Sequence, residues 1–72
     1  MKASVIIEKD EEGYYAFCPE MKGCHSQGDS LDEVLANIKE AIELYLETLS
    51  IDERIGCLSQ EILTTAVEVS VA

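Results

Sequence analysis

A capped amphipathic helix in the middle of the chain constrains the fold more than any other feature. Ser30 is a good N-cap residue, and Glu33 three positions later predicts a capping box. From residue 31 to residue 49 the apolar side chains recur at helical spacing and form a single stripe. The stripe comprises Leu31, Val34, Leu35, Ile38, Ile42, Tyr45, Leu46 and Leu49. A helix with one apolar face has to cover another element, and the flanking segments predict that this element is a sheet.

Three short strands are predicted before the helix, at residues 3–8, 14–18 and 24–27. The first is rich in β-branched side chains and the second in aromatic ones, which favour extended backbone. A polar turn separates them and ends at Gly13, which tolerates a positive φ. Pro19 ends the second strand, since proline cannot donate to a sheet.

Two further elements are predicted after the helix. Ser50 and Glu53 form a second capping-box pattern, which predicts a short helical turn over residues 51–57 ended by Gly56. Residues 61–71 alternate between two sets of side chains and predict a last strand. The set expected to face the helix is Leu63, Thr65, Val67, Val69 and Val71.

The element order β-β-β-α-β predicts an α+β fold made of one domain, residues 1–72. The first three strands form an antiparallel meander, and the helix crosses one face of the sheet to deliver the last strand. If that strand lies parallel to the first and beside it, the sheet order is 3-2-1-4, with a right-handed crossover. The other sheet face has no helix to cover it, so residues such as Ile6 and Tyr15 stay exposed. We therefore expect a homodimer or a higher oligomer.

The charge is strongly negative. Fifteen acidic residues against five basic ones give a formal net charge of -10. Such a chain repels nucleic acid and anionic membranes and attracts basic partners, although acidity also serves solubility alone. Part of the charge falls on the outer face of the helix, at Asp32, Glu33, Glu40, Glu43 and Glu47. This face is either a docking surface or a solvated one, and the pattern leaves both readings open.

No residue pattern predicts catalysis, a cofactor or a metal. Cys18, Cys24 and Cys57 are expected to be reduced thiols, because their spacing lacks the two close pairs of a zinc site. Cys24 and His25 are neighbours in a strand and point to opposite faces, which is a poor arrangement for a catalytic pair. A nuclease site would need converging carboxylates, and the acids near the first turn lie mostly in an exposed loop. These acids are Glu8, Asp10, Glu11 and Glu12.

No apolar run approaches the roughly 18 residues of a membrane span. The chain also begins without a secretory signal pattern, so we expect a cytoplasmic protein.

Two segments together resemble the HicB antitoxins of bacteria and archaea. They read VIIEKDEEGYYAFCPEMKGC and GCHSQGDSLDEVLANIKEAIELYLE, and the similarity covers residues 4–47 in order and spacing. The family usually has a proline just before the Gly-Cys pair, where this chain has Lys22. The resemblance implies the same strand arrangement, a partial ribonuclease H-like fold.

The resemblance also implies a function. The partner would be a HicA-type toxin, a small basic ribonuclease that cleaves mRNA, and the antitoxin would occlude it by steric and electrostatic contact. The partner-binding residues expected here are Glu33, Glu40, Glu43 and Glu47. Fuller family members carry a C-terminal DNA-binding module, and no such pattern follows residue 71, so we expect no direct promoter binding. The alternative is an orphan homo-oligomeric interaction domain without a toxin.

Overall fold

In a computed structural model, which describes residues 2–71, a small antiparallel sheet is followed by two helices. The strands are β1 (Ile6–Asp10), β2 (Gly13–Phe17) and β3 (His25–Gly28), and the helices are α1 (Leu31–Glu47) and α2 (Ile51–Leu58). The strands pair in the order β1-β2-β3. The α+β class, the antiparallel meander and the long helix are therefore confirmed.

The hairpin between β1 and β2 is tighter than the sequence predicts. Asp10 pairs with Gly13, so only two residues form the turn, and the Glu12 N–H donates to Asp10 Oδ1 at 2.8 Å. Gly13 has a φ of 134°, in the region that favours glycine. Pairing starts at Ile6 rather than Ala3 because Ile6 lies opposite Phe17, the last residue of β2.

The start of α1 follows the predicted cap only in part. The Glu33 N–H donates to Ser30 Oγ at 3.1 Å, whereas both bonds of a capping box are present only at the start of α2. Thr48 ends α1 two residues earlier than predicted. Its N–H and its hydroxyl both donate to the Tyr45 carbonyl, at 3.1 and 2.7 Å.

The core lies between α1 and the inner face of the sheet. Its buried residues are Ala16, Cys18, Met21, Cys24, Val34, Ile38 and Ile42. Helix and sheet approach each other closely at Gly28, where an added Cβ would lie 2.6 Å from the Val34 nitrogen. Asn37 Nδ2 also donates to the Gln27 carbonyl at 2.8 Å and ties α1 to β3.

Residues 61–71 correct the prediction of a fourth strand. They pair with no strand in the described chain, so the sheet order 3-2-1-4 is not observed, and the ribonuclease H-like description lacks its last strand. The side chains expected to face the helix are exposed, among them Leu63 at 85% and Val67 at 78%. The alternating pattern identifies a segment able to form a strand, but a strand also needs an edge to pair with, and the pattern does not specify one.

Helix α2 corrects a second prediction, because Gly56 lies inside the helix and does not end it. A glycine in a helix costs only about 1 kcal/mol, which the capping box at Ser50 helps to offset. Arg54 Nε donates to the Leu46 carbonyl at 2.8 Å and holds α2 against the end of α1. Neither helix in residues 2–71 has the length and apolar character needed to cross a membrane.

Candidate partner-binding surfaces

The first candidate surface is an acidic stripe on α1, defined as Glu33, Glu40, Glu43 and Glu47. At 3.6 residues per turn, the four side chains lie within about 80° of one another around the helix axis. All four are exposed, on the side away from the buried Val34, Ile38 and Ile42. The structure therefore brings the predicted residues together on one solvent-facing strip.

The acidic stripe extends beyond the helix at its N-terminal end. Glu33 lines a shallow surface hollow together with Asp10, Glu12 and Asp29 from the neighbouring turns. The N-terminal end of the acidic stripe thus adjoins the acids of the β1–β2 turn. The sequence does not connect these two groups of acids, because only the fold places the hairpin turn beside the start of α1.

The second candidate surface is the aromatic face, defined as Ile6, Tyr15, Phe17 and His25. It lies on the side of the sheet opposite α1. The Tyr15 ring lies 6.0 Å from the Phe17 ring and is stacked on the His25 ring at 5.8 Å, centroid to centroid. Ile6 pairs with Phe17 across the strands. Within residues 2–71, none of the strands or helices covers this side of the sheet.

The sequence predicts Ile6 and Tyr15 on the side of the sheet that has no helix, although both are half-buried and not fully exposed, and it does not predict Phe17 and His25 beside them. The signal that would have found them is strand alternation. Ala16 faces the core, so Tyr15 and Phe17 must point away from it. The register pairs Phe17 with His25, which places the imidazole on the same face.

The third candidate surface is an open apolar groove between α1 and the chain leading into β1, called the β1 groove here. Ala3 and Val5 form one wall, and apolar side chains of α1 form the other. Leu58, the last residue of α2, also lines the groove. The helical lining residues are Leu35, Ile38, Ile42 and Leu46, bordered by the polar Lys39 and Glu43.

Two of the three cysteines belong to the hydrophobic core. Cys18 and Cys24 are buried, and the Cys18 N–H donates to the Cys24 carbonyl at 3.0 Å. Burial raises the pKa of both thiols, so they stay protonated at neutral pH. His25, in contrast, is exposed on the opposite side of the sheet from Cys24. In the part of the chain that the structure describes, no three His, Cys, Asp or Glu side chains are grouped to hold a metal ion.

Comparison with known proteins identifies the family. The model of the HicB-like antitoxin of the bacterial toxin–antitoxin system matches residues 3–68. The chain belongs to this family. The match includes the whole sheet, both helices and most of the exposed C-terminal segment, so this HicB-like chain and its relatives share more than the helix and its cap.

Several relatives that are each named UPF0150 protein are similar to this chain over most of its length. A UPF0150 protein of Helicobacter pylori (strain J99) is 62% identical over 53 residues, which are 74% of this chain and 74% of that protein. One UPF0150 protein of Synechocystis is 60% identical over 47 residues, or 64% of this chain and 60% of that protein. Another from the same organism is 43% identical over 68 residues, or 90% of this chain and 94% of that protein. No solved structure matches.

Proposed function

We propose that this HicB-like chain is an antitoxin that binds a small basic HicA-like ribonuclease and prevents it from cleaving mRNA. The family model describes antitoxins, which supports a toxin as the partner. The identity of that toxin as a HicA-like protein rests on the resemblance over residues 4–47. In this proposal the chain acts by stoichiometric binding in the cytoplasm and carries out no catalysis of its own.

The observation that carries the mechanism is the acidic stripe. A protein that binds RNA needs a basic surface for the phosphates, and the same surface attracts a row of carboxylates. Glu33, Glu40 and Glu47 repeat at intervals of seven residues, about 10 Å along the helix axis each. Because the four carboxylates are exposed, α1 presents these charges to a partner without unfolding any part of the domain.

The aromatic face is the second part of the proposed mechanism. Aromatic side chains are enriched in the cores of protein interfaces, and Tyr15 and Phe17 are only half-buried in the described chain. Electrostatic attraction would accelerate the encounter, while contacts of this apolar kind would slow dissociation. In the proposed complex the acidic stripe thus sets the association rate and the aromatic face, on the opposite side of the domain, sets the dissociation rate. A complex that uses the acidic stripe alone is the simpler form of the same proposal.

The direct test uses any small basic protein that is encoded beside this chain. Co-expression followed by affinity capture should recover both proteins in one complex, and the captured toxin should cleave an RNA substrate only after the HicB-like chain is removed. A neighbour that neither binds the chain nor is inhibited by it would contradict the proposal.

A matched pair of charge reversals tests the acidic stripe itself. Glu40→Lys with Glu47→Lys should slow association with the toxin, and raising the salt from 50 to 500 mM should slow it as well, since the Debye length shortens about threefold. The control is Glu61→Lys with Glu68→Lys, which changes the net charge equally but in the C-terminal segment after α2. If both pairs slow association alike, net charge alone is responsible. If neither does, the contact is made elsewhere.

The alternative, an orphan homo-oligomeric interaction domain, is favoured by a different observation. Apolar side chains of the C-terminal segment are exposed, which suits self-association whether or not a toxin exists. Absence of a basic neighbouring gene, with a stable oligomer in solution, would support this alternative over the antitoxin.

A further inference from the structure

The exposed segment Glu61–Val71, called the C-terminal arm here, is the most unusual part of the molecule. Leu63, Val67, Val69 and Val71 are each at least 78% exposed. In an extended strand these odd-numbered positions, with Thr65 between Leu63 and Val67, lie on one side. Exposed single apolar residues are ordinary on a protein surface, but a continuous row marks a binding surface.

The shape of the chain shows that the arm is not folded onto the body, defined here as the sheet and α1, residues 6–47. The radius of gyration is 14.4 Å, whereas a compact chain of this length has about 11 Å. The longest extent is 49 Å against 27 and 18 Å in the other directions. The arm therefore projects away from the sheet and helix to which its pattern is suited.

The β1 groove offers the surface that the arm lacks. β1 pairs only with β2 in the described chain, so one of its edges has no strand beside it. The groove next to this edge is lined by aliphatic side chains of α1. From Leu35 to Leu46 this lining is about 17 Å long, at 1.5 Å per residue. Residues 63–69 span about 20 Å as a strand, which matches the groove in length and in alternation.

We propose that the arm of a second copy of this chain occupies the β1 groove, and that two copies exchange arms reciprocally. Each sheet then has four strands, one of them supplied by the partner copy. A two-fold axis closes such an exchange, so both arms and both edges are used and no further copy is needed. The covered edge also removes a site of uncontrolled strand pairing.

The connection between α2 and the arm favours exchange over return to the same chain. Only Ser59 and Gln60 separate the last helical residue, Leu58, from the arm. Leu58 itself borders the groove, yet the apolar side chains of the arm, which starts two residues further on, are exposed and not seated in it. Neither connecting residue is glycine or proline, and short hinges that resist reversal promote exchange between copies.

The first test is the mass in solution. Light scattering at micromolar concentration should give twice the 7.9 kDa chain mass or an even multiple of it. Val67→Asp places a charge on the apolar side of the arm and should yield monomer, while the helical circular dichroism signal stays unchanged because Val67 is not among the residues packed on the core. The matched control Ala66→Asp places the same charge on the other side of the arm and should keep the wild-type mass. A monomeric wild type, or loss of the oligomer in both variants alike, would overturn the proposal.

A second test separates exchange from self-pairing. In a Cys57→Ser background, Val67→Cys is combined in turn with Ala3→Cys, Val5→Cys and Ile7→Cys, and each variant is oxidised gently. Exchange predicts a covalent dimer on a denaturing, non-reducing gel for at least one pair, and none for the single substitutions. A disulfide formed within one chain, or no disulfide in any pair, would overturn it. Neither test involves the toxin, so failure here is independent of the proposed antitoxin activity.

Discussion

The body of the domain and its C-terminal part contain similar apolar residues, but the body buries them and the C-terminal part leaves them exposed. Every buried residue of the described chain lies between Ala16 and Ile42, and none lies in α2 or the arm. Ile38 is 2% exposed, whereas Ile55 of α2 is 57% exposed. Hydrophobicity therefore does not distinguish the two regions. What distinguishes them is whether the same chain supplies a surface to pack against.

The largest expected difference in stability comes from truncating one isoleucine in each region. Ile38→Ala should lower the free energy of unfolding by about 2–5 kcal/mol, because it leaves a cavity in the core. Ile55→Ala removes the same atoms from an exposed position and should change it by about 0.5 kcal/mol or less. Urea unfolding followed by circular dichroism, at one fixed protein concentration, measures both. Equal losses would mean that α2 packs as tightly as α1 in solution.

Alanine substitutions at two glycines should change the stability by smaller amounts, and in opposite directions from each other. Gly28→Ala forces a Cβ to 2.6 Å from the Val34 backbone nitrogen and should destabilise the body by about 1–3 kcal/mol. Gly56→Ala meets no atom within 4 Å and lies inside α2, so it should stabilise that helix by about 0.5–1 kcal/mol. The same unfolding experiment should move the midpoint in opposite directions for the two variants. A stabilising Gly28→Ala would contradict the close approach of β3 and α1.

The helix caps give the next effect. Ser30→Ala removes the oxygen that accepts from the Glu33 N–H and should cost about 1 kcal/mol of global stability. Ser50→Ala removes the equivalent oxygen from α2, where the loss should be local. Amide hydrogen exchange separates the two outcomes, since Ser30→Ala should accelerate exchange across the body and Ser50→Ala only within α2. If Ser30→Ala cost more than Ile38→Ala, the cap would outweigh the core.

The smallest predicted effect is a pH dependence confined to α2. The Glu53 carboxylate accepts from the Ser50 N–H at 2.9 Å, and this backbone bond, with the Ser50 side chain, lowers the pKa of Glu53 below its ordinary value of 4.5. The bonded carboxylate supports α2 above that ordinary value, and the support is lost as the pH falls through the lowered pKa. Amide chemical shifts of α2 should report this fraying on acidification. Glu53→Gln keeps a hydrogen-bond acceptor that does not titrate, so it should flatten the pH dependence of these chemical shifts. If the shifts of that variant still changed with the wild-type pH midpoint, Glu53 would be excluded as the titrating group.

Much of the fold near the core could be predicted from the sequence because local signals coincide there. The apolar stripe of α1, the Ser30 cap and the glycine at the hairpin all point to the same structure, and each acts over a few residues. The boundaries were less accurate. Strand pairing decided that β1 begins at Ile6, and the energetic cost of one glycine was too small for Gly56 to end α2.

The acidic stripe could be predicted from the sequence and the aromatic face only in part, because local spacing fixes the first and strand pairing the second. Glu33, Glu40, Glu43 and Glu47 share a helix, so their common face follows from helical geometry alone. Phe17 and His25 come from different strands, and only the register between β2 and β3 places them together. The hollow that joins Glu33 to the hairpin acids likewise depends on the contact between distant segments.

The sequence by itself determined the secondary structure around the core, the acidic stripe and the strand-forming character of residues 61–71, because these depend on residue type and local spacing. The tertiary structure alone decided that the C-terminal arm leaves its own sheet and that an apolar groove stays open beside β1. A strand gains stability only from the hydrogen bonds and side chains of a neighbouring edge. Which edge it meets is a property of the assembled fold, and it cannot be read from the alternation of valines.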